Sequence, residues 1–331
     1  MTAPRSVVTG GCGFIGSHMV DLLLAEGHDV VVVDNLSSGR LENLEHHKGA
    51  PGLHVVVADV ADAERMAREF AGAAWVFHFA ALGDIVPSIE RPTDYIRANV
   101  MGTLGALEGA RAAGVRRLVY SASSSCYGIP DAYPTPETAE IRTEYPYALS
   151  KHLGERLVLH WGQVYGLPVV SLRYFNVYGP RARTSGAYGA VFGVFLKQKL
   201  AGHPFTVVGD GTQTRDFVFA TDVARANLAA ARADCRNEVF NVGAGQPQSV
   251  NRLVELLGGG DVVHVPRRPG EPERTHADIA RIRRVLGWEP TVSFERGVEA
   301  VLDNIEYWRT APLWTVEAIE AATREWFRRL G

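Results

Sequence analysis

The chain has 331 residues, of which 46% are hydrophobic and 21% are charged, so it can bury a full core as two small domains or as one domain with a large lobe. The formal net charge of -3 gives no electrostatic reason to expect nucleic acid or an acidic membrane surface as a partner, and no apolar run approaches the roughly 20 residues that cross a bilayer. Its three cysteines, Cys12, Cys126 and Cys235, lack metal-ligand spacing and cannot all pair, and the N-terminus resembles no signal peptide, so we expect a cytoplasmic protein without a metal.

Short apolar runs alternate with amphipathic stretches through the first half of the chain. Runs rich in β-branched residues predict strands at residues 6–9, 29–33, 53–58, 75–79, 117–121 and 169–172. The stretches between them predict helices at residues 16–26, 62–70, 93–113 and 147–165. The predicted strands are continuously apolar, which indicates burial on both faces in a parallel sheet covered by helices. The fold class is therefore α/β, with a Rossmann-type doubly wound parallel sheet.

The pattern is less regular after residue 180. It predicts a helix near residues 191–201, a glycine-rich turn at 208–211, a strand and a helix within 215–231 and a strand at 238–242. We interpret this half as a smaller C-terminal α/β lobe that lies over the strand ends, where α/β sheets bind ligands. The predicted domains are residues 1–172, completed by parts of 216–245, and residues 173–331, which mainly bind substrate.

A glycine-rich turn, Gly10-Gly11-Cys12-Gly13-Phe14-Ile15-Gly16, joins the first predicted strand to the first predicted helix. Glycines let the backbone approach a pyrophosphate closely, and the helix N-terminus supplies free N–H groups and the positive end of a dipole. Asp34 ends the second strand, eighteen residues after Gly16, where a carboxylate accepts hydrogen bonds from ribose hydroxyls and repels a 2′-phosphate. Each feature alone is also typical of a tight turn or a solvated strand end, but the combination predicts an NAD site.

Tyr147 and Lys151 are four residues apart on a predicted helix and therefore share one helix face. A phenolate base near neutral pH needs a pKa about 3 below the ordinary value of about 10, which costs about 4 kcal/mol. A lysine ammonium and a positively charged nicotinamide ring are able to supply that stabilisation. Ser123, beyond the end of a predicted strand, is suited to hold a substrate oxygen or to relay its proton. A chance pair and a serine-rich turn are the alternatives, and neighbouring Tyr145 has Leu149 as its i+4 partner.

The glycine spacing and the Tyr-Lys pair resemble those of extended short-chain dehydrogenase/reductases, in particular the NAD-dependent nucleotide-sugar epimerases and dehydratases. The resemblance runs almost from end to end of the chain. It implies that residues 34–39 form the adenosine-ribose loop, that residues 59–60 contact adenine and that residues 79–81 lie along the dinucleotide. The NAD-binding residues that it implies are Gly10, Gly13, Phe14, Ile15, Gly16, Asp34, Asn35, Ser37, Ser38, Gly39, Asp59, Val60, Phe79, Ala80, Ala81, Asn99, Tyr147, Lys151 and Tyr174.

Three further blocks, at residues 173–181, 209–217 and 267–271, resemble the nucleotide-sugar site of that family. The resemblance implies phosphate contacts, and guanidinium groups suit a diphosphate because they form bidentate hydrogen bonds. At position 271 a glutamate stands where an aspartate that binds the nucleoside ribose is usual. The implied substrate-binding residues are Asp84, Ser123, Ser124, Ser125, Asn176, Val191, Arg215, Arg268, Glu271 and Thr275. The implied catalytic residues are Ser123, Tyr147 and Lys151.

The residues after Ser123 favour one reaction of this family. Its 4,6-dehydratases carry acidic residues beside the serine and its decarboxylases carry a glutamate, whereas this chain has Ser124 and Ser125 and no carboxylate until Asp131. The resemblance therefore implies a 4-epimerase. In that reaction Tyr147 takes the C4 hydroxyl proton, NAD takes the C4 hydride, the 4-keto sugar turns, and the hydride returns to its other face. The expected substrate is UDP-glucose or UDP-N-acetylglucosamine.

Four residues leave the substrate and the reaction open. Thr275 matches a position where bulky residues exclude N-acetyl sugars, and Arg183 matches one that faces the carboxylate in UDP-glucuronate 4-epimerases. Asp84 disfavours an acidic sugar, acts as a second acid/base or caps a turn, and Cys126 is interpreted as a structural thiol although a 3,5-epimerase uses a cysteine close by. The alternatives are a UDP-glucuronate 4-epimerase, a 3- or 5-epimerase, a 4,6-dehydratase and, outside enzymes, an NAD-sensing scaffold.

The resemblance also implies a homodimer, in which the helices at residues 93–113 and 147–165 pair across a two-fold axis. The apolar faces of these helices are equally explained by packing on their own sheet. The expected partners are therefore a UDP-sugar or another nucleotide sugar and a second copy of the chain.

Overall fold

The computed structural model describes residues 3–182 and 191–331. The strands in this part of the chain are β1 (Arg5–Thr9), β2 (Asp29–Asp34), β3 (Leu53–Val57), β4 (Trp75–His78), β5 (Arg117–Ser123), β6 (Val169–Tyr174), β7 (Asn176–Tyr178), β8 (Phe205–Val208), β9 (Thr214–Arg215), β10 (Phe217–Phe219), β11 (Glu238–Val242), β12 (Gln248–Ser249) and β13 (Val262–Val265).

The α-helices in the same ranges are α1 (Phe14–Ala25), α2 (Ala63–Glu69), α3 (Ile85–Glu90), α4 (Pro92–Tyr95), α5 (Gly102–Ala113), α6 (Pro146–Tyr165), α7 (Val191–Ala201), α8 (Ala220–Arg232), α9 (Val250–Leu256), α10 (Ala280–Leu286), α11 (Phe294–Asp303) and α12 (Val316–Leu330). Short 3-10 helices span Leu41–His47, Ser124–Tyr127 and Ile305–Trp308, and a π-helix spans Ile96–Met101. None of the described helices combines the length and the apolar composition that a membrane crossing requires.

Seven parallel strands form the central sheet, in the order β11-β6-β5-β4-β1-β2-β3. Successive residues of a strand point to opposite faces, and in β1 both Val7 and Val8 are fully buried. Val8 packs with residues of α1 and α8, whereas Val7 packs in a separate core with residues of α2, α5 and α6. Helices therefore cover both faces of a parallel sheet, and the predicted Rossmann-type α/β fold is confirmed.

Some elements differ from the prediction. β3 lies at the sheet edge, where Val57 is 61% exposed, so the expected burial on both faces is wrong for this strand. The helix predicted at 93–113 is interrupted by the π-helix between α4 and α5. β5 continues to Ser123, which brings that serine to the end of a central strand. β6 continues to Tyr174 with β11 beside it, so the sheet draws on both sides of the boundary predicted at residue 172, and the division into domains stays a prediction.

The C-terminal lobe has its own, strongly aromatic core. Tyr178 stacks on Phe192 with ring centroids 4.7 Å apart, and Phe217 stacks on Phe294 at 5.1 Å. Its strands form the pairs β7–β10, β8–β13 and β9–β12. This is the smaller α/β lobe that the sequence predicts.

A buried ion pair attaches α6 to the central sheet. Arg173 on β6 donates from Nη2 to Oε1 of Glu155 on α6 at 2.6 Å, and Ser171 donates to the other carboxylate oxygen at 2.8 Å. Burial acts to raise the pKa of Glu155, but nearby His152 and the hydrogen bonds from Arg173 and Ser171 outweigh it and bring the pKa to about 2. Arg173 Nη1 also donates to the Tyr127 hydroxyl at 2.8 Å, so both charges are well partnered inside the protein.

Candidate active site

A cleft of about 660 Å³ opens at the carboxyl ends of the central strands, and residues of both lobes line it. Parallel α/β sheets bind ligands at this edge. The cleft is lined by every residue that the sequence predicts to bind cofactor or substrate, with the exception of Asn99. Arg183, the residue compared above with uronate enzymes, lies outside the described residues.

The glycine turn forms one end of the cleft. A Cβ at Gly10, whose φ is +70°, would lie 2.6 Å from the backbone nitrogen of Ala80, and a Cβ at Gly16 would collide with the Gly10 carbonyl. A Cβ at Gly13 would meet only the Gly10 carbonyl oxygen, at 3.1 Å. No other atom of the described residues fills the space beside Gly13, so a ligand can approach the backbone there. α1 begins at Phe14 without a side-chain cap, which leaves its first N–H groups for an anion. The turn therefore fits a pyrophosphate.

Asp34 lies beside this turn, at the end of β2. Its Oδ2 accepts a hydrogen bond from the Cys12 N–H at 3.0 Å, and its Oδ1 accepts one from the Leu36 N–H at 2.8 Å. Burial raises the pKa of Asp34, and the two backbone hydrogen bonds act in the opposite direction. Since an ionised carboxylate has about four acceptor positions, Asp34 keeps acceptors for ribose hydroxyls after both bonds are made.

Asn99 does not line the cleft, and its predicted part in NAD binding stays a prediction. It is buried in the π-helix, where its side chain accepts from the Leu82 N–H at 2.7 Å and donates to the Ser150 hydroxyl at 2.9 Å. Ser150 in turn donates to the carbonyl oxygen of Tyr147. Asn99 therefore joins the loop after β4 to the first turn of α6 from behind the site.

Tyr147 and Lys151, on the first turns of α6, reach the cleft beside Ser123. Burial raises the pKa of Tyr147, and the nearby Ser123 hydroxyl lowers it in part. Burial lowers the pKa of Lys151 to about 7, and nearby Glu155 acts in the opposite direction. The Lys151 Nζ lies 4.7 Å from the centroid of the Tyr120 ring. Ser123 therefore favours the ionised phenol, and the effect of Lys151 on the phenol pKa stays a prediction.

Two arginines and one glutamate line the part of the cleft formed by the C-terminal lobe. Arg215 donates to Oε1 of Glu271 at 2.8 Å, and Arg268 lies 3.4 Å from Oε2 of the same carboxylate. Burial acts to raise the pKa of Glu271, but Arg268 and Arg215 outweigh it and the pKa is lowered. Nearby, the Thr275 hydroxyl donates to Oδ1 of Asn176 at 2.7 Å, so it holds that amide at the cleft. The cluster carries a net positive charge, as an anion site requires.

Asp84 and Cys126 are two residues whose roles the sequence leaves open. Asp84 has a φ of +71°, an uncommon conformation for a residue other than glycine, and its side chain does not cap α3, which follows it. Its charge acts to raise the pKa of Tyr147. Burial raises the pKa of the Cys126 thiol to about 12, as befits a structural cysteine.

Two aromatic residues of the site were not predicted. Tyr145 stacks on Tyr147 with ring centroids 6.5 Å apart and planes 5° from parallel, although its i+4 partner gave no reason to select it. Trp326, on α12, also lines the cleft and contacts Tyr145. No motif marks this tryptophan, because it comes from the last described helix, far along the chain from the tyrosines.

An ion pair between Arg181 and Asp21 joins the two lobes near the glycine turn. Arg181 also donates to the Asn43 carbonyl at 3.0 Å. Within the described residues, Asp21 forms a cluster of metal-binding side chains with His46 and His47, whose Nε2 atoms lie 2.8 Å from one of its oxygens. The guanidinium of Arg181 shares that carboxylate, so a fixed positive charge lies beside the place where a cation would bind.

Comparison with known proteins assigns the family. Residues 6–243 match the family described as NAD dependent epimerase/dehydratase family. The chain belongs to this family. It is 38% identical to the UDP-glucose 4-epimerase of Mycolicibacterium smegmatis over 307 residues, covering 90% of this chain and 97% of the relative.

Two solved structures of the family are similar over nearly their whole length. One is the UDP-N-acetylglucosamine 4-epimerase of Methanobrevibacter ruminantium in complex with UDP-N-acetylmuramic acid, with a TM-score of 0.87, 32% identity and coverage of 93% of this chain and 99% of that one. The other is the UDP-glucose 4-epimerase of Thermotoga maritima with UDP-glucose, with a TM-score of 0.84, 36% identity and coverage of 92% and 99%. The predictions of an NAD-dependent nucleotide-sugar epimerase and of its fold are confirmed.

Replacing Gly13 tests the pyrophosphate site. We expect Gly13→Ala to keep a thermal unfolding midpoint within a few degrees of wild type, since its Cβ meets only one backbone atom. The methyl group would occupy the space for the pyrophosphate, so NAD affinity should fall by about tenfold, on the order of one overpacked methyl. NAD titration by calorimetry measures the affinity, and equal affinities in the two proteins would remove this turn from the cofactor site.

Proposed function

We propose that the protein is a UDP-sugar 4-epimerase that acts on UDP-glucose or UDP-N-acetylglucosamine and keeps its NAD between turnovers. The observation that carries the proposal is the meeting of Tyr147, Ser123 and the bare glycine turn in one cleft, which Arg215 and Arg268 also line. Similarity to proteins named UDP-glucose 4-epimerase and UDP-N-acetylglucosamine 4-epimerase supports the substrate class.

In the proposed site, the glycine turn and Asp34 would hold the dinucleotide through backbone N–H groups and a carboxylate. Bound NAD would supply a hydride acceptor and donor and, when oxidised, a positive charge that favours the phenolate. The Ser123 hydroxyl, near the Tyr147 phenol, favours its ionised form. The Tyr147 Oη takes the proton of the C4 hydroxyl and later returns one to the epimer. Because the Lys151 pKa is about 7, its Nζ gains or loses a proton readily at neutral pH.

Arg215 and Arg268 are the proposed diphosphate ligands. Two guanidinium groups share the single carboxylate of Glu271, which leaves the three side chains with an excess of one positive charge. Charge-assisted, bidentate contacts to phosphate are about twice as strong as neutral hydrogen bonds. The donors of the Asn176 amide, held by Thr275, add a neutral contact.

A 4,6-dehydratase is the second candidate, and it rests on Asp84. That reaction needs an acidic group near the sugar in addition to the tyrosine, and Asp84 lies in the cleft close enough to influence the Tyr147 pKa. We favour the epimerase because Ser124 and Ser125 stand at the positions next to Ser123. Mass spectrometry separates the two reactions, since only the dehydratase product has lost water.

The exposed apolar side chains of two neighbouring helical segments support a homodimer. Leu149 and Leu153 are one turn apart on α6 and are 42% and 37% exposed. Met101, the last residue of the π-helix that leads into α5, is exposed as well, and both the π-helix and α5 pack beside α6. Grouped apolar surface of this kind marks interaction sites, and a self-complementary patch suits two-fold symmetry.

Removing the proposed base tests the reaction. We expect wild-type protein with UDP-glucose to form the C4 epimer, detected by NMR without net NADH release. Tyr147→Phe should lower kcat by about 10²–10⁴-fold, because it removes the group that transfers the proton. Tyr165→Phe, at the exposed end of the same helix, is the matched control and should retain wild-type activity. Undiminished turnover by Tyr147→Phe contradicts the mechanism.

The size of the residue at position 275 tests the sugar. We expect Thr275→Tyr to lower kcat/KM for UDP-N-acetylglucosamine at least about tenfold more than for UDP-glucose, because the ring fills space that an N-acetyl group needs. Thr275→Ser keeps the hydroxyl that contacts Asn176 and should leave the ratio unchanged. Equal losses for both sugars in Thr275→Tyr would show that this position does not select between them.

Introducing a charge on the apolar helix face tests the dimer. We expect wild-type protein to sediment as a dimer and Leu153→Glu to sediment as a monomer, because the interface would bury an unpaired charge. Val57→Glu, on the exposed edge of the central sheet, is the control and should stay dimeric. A monomeric wild type, or a dimeric Leu153→Glu, is the result that argues against this interface.

A further inference from the structure

The C-terminal helix α12 packs on the substrate lobe through one face. Its N-cap, Thr315, accepts a hydrogen bond from the Ala318 N–H at 3.3 Å and starts the helix. Ile319, Thr323 and Trp326 follow at helical spacing, and all three are buried. Ile319 packs into the aromatic core of the lobe, whereas Trp326 reaches the cleft. The two ends of this face therefore have different surroundings.

Trp326 makes three contacts at the cleft, and it is only 2% exposed. Its indole N–H donates to the Pro269 carbonyl at 2.8 Å. The Arg268 guanidinium carbon lies 5.6 Å from a ring centroid of Trp326, within the range of a cation–π interaction. The Tyr145 ring lies 6.5 Å away at 56°. Trp326 thus contacts both the loop that carries Arg268, a proposed phosphate ligand, and Tyr145, which stacks on the proposed base Tyr147.

The cation–π contact stabilises Arg268 without adding a second counter-charge. This partly buried guanidinium shares the Glu271 carboxylate with Arg215. A second carboxylate would stabilise it but would cancel the positive charge that attracts a diphosphate. The face of an indole attracts the cation through its quadrupole and leaves the net charge unchanged.

We propose that Trp326 is a positioning residue that keeps Arg268 extended toward the nucleotide diphosphate and braces Tyr145 against Tyr147. The inference rests on the proposed function of the cleft. It assigns the C-terminal helix to the binding site, so the sequence near residue 326 sets the affinity for the nucleotide sugar. Tyr145 links the two ends, because its ring is parallel to Tyr147 and in contact with Trp326.

Two substitutions at position 326 distinguish the cation–π interaction with Arg268 from the packing that any apolar side chain would provide. Trp326→Phe keeps an aromatic face for Arg268, whereas Trp326→Leu fills much of the space with an aliphatic group. We expect Trp326→Leu to raise the Kd of UDP and the KM of UDP-glucose about tenfold, and Trp326→Phe to stay within about threefold of wild type. NAD content should be unchanged in both variants, since Trp326 contacts no residue of the glycine turn.

Ile319→Ala is the matched control, because it loosens the same helix at a buried position outside the cleft. It should lower the unfolding midpoint and leave the Kd of UDP near wild type. Calorimetry with UDP needs no turnover. If wild type binds UDP and Trp326→Leu binds it equally well, or if Ile319→Ala weakens binding as much, the positioning role is overturned. If wild type fails to bind UDP, the proposed function is overturned, and this inference with it.

Discussion

The buried pair of Glu155 and Arg173 is the interaction on which the site depends most directly. It attaches α6 to β6 one turn below Lys151 and two turns below Tyr147, so the direction of both side chains follows from it. Ser171 and the Tyr127 hydroxyl complete the hydrogen bonds of the two charges. Removing one member of such a pair costs about 3–5 kcal/mol, because the other charge stays buried alone. The same interaction therefore serves the stability of the fold and the geometry of the cleft.

Burial leaves the ion pair charged but favours the uncharged forms of the titratable groups in the neighbouring cleft. Glu155 keeps its charge because donors surround it, and its pKa falls to about 2. At Tyr147 burial raises the pKa, and Ser123 lowers it only in part. At Lys151 burial lowers the pKa to about 7, although Glu155 acts in the opposite direction. Both groups are thereby pushed toward their uncharged forms. A site of this kind is sensitive to any added charge, which suits a tyrosine that must gain and lose a proton in each cycle.

The features that the sequence predicted well are local ones. The apolar strands and the glycine turn depend on residues next to each other in the chain, and the turn lies where Gly10 and Gly16 have no room for a Cβ. The position of a strand within the sheet is not local, and so the edge location of β3 was missed. The position of Asn99 in a predicted helix likewise does not show that its side chain bonds to Leu82 and Ser150. Trp326 was overlooked because its partners, Arg268 and Tyr145, come from other parts of the chain.

The edge strand β3 has a consequence for how the molecule behaves at high concentration. In the described part of the chain, β3 has a hydrogen-bonded neighbour on one side only, and Val55 and Val57 are exposed along it. Unpaired backbone groups beside apolar side chains form a template onto which a foreign strand can add. The strand is only five residues long, which limits how many such bonds can form. Aggregation of the folded protein is therefore expected to begin at this margin.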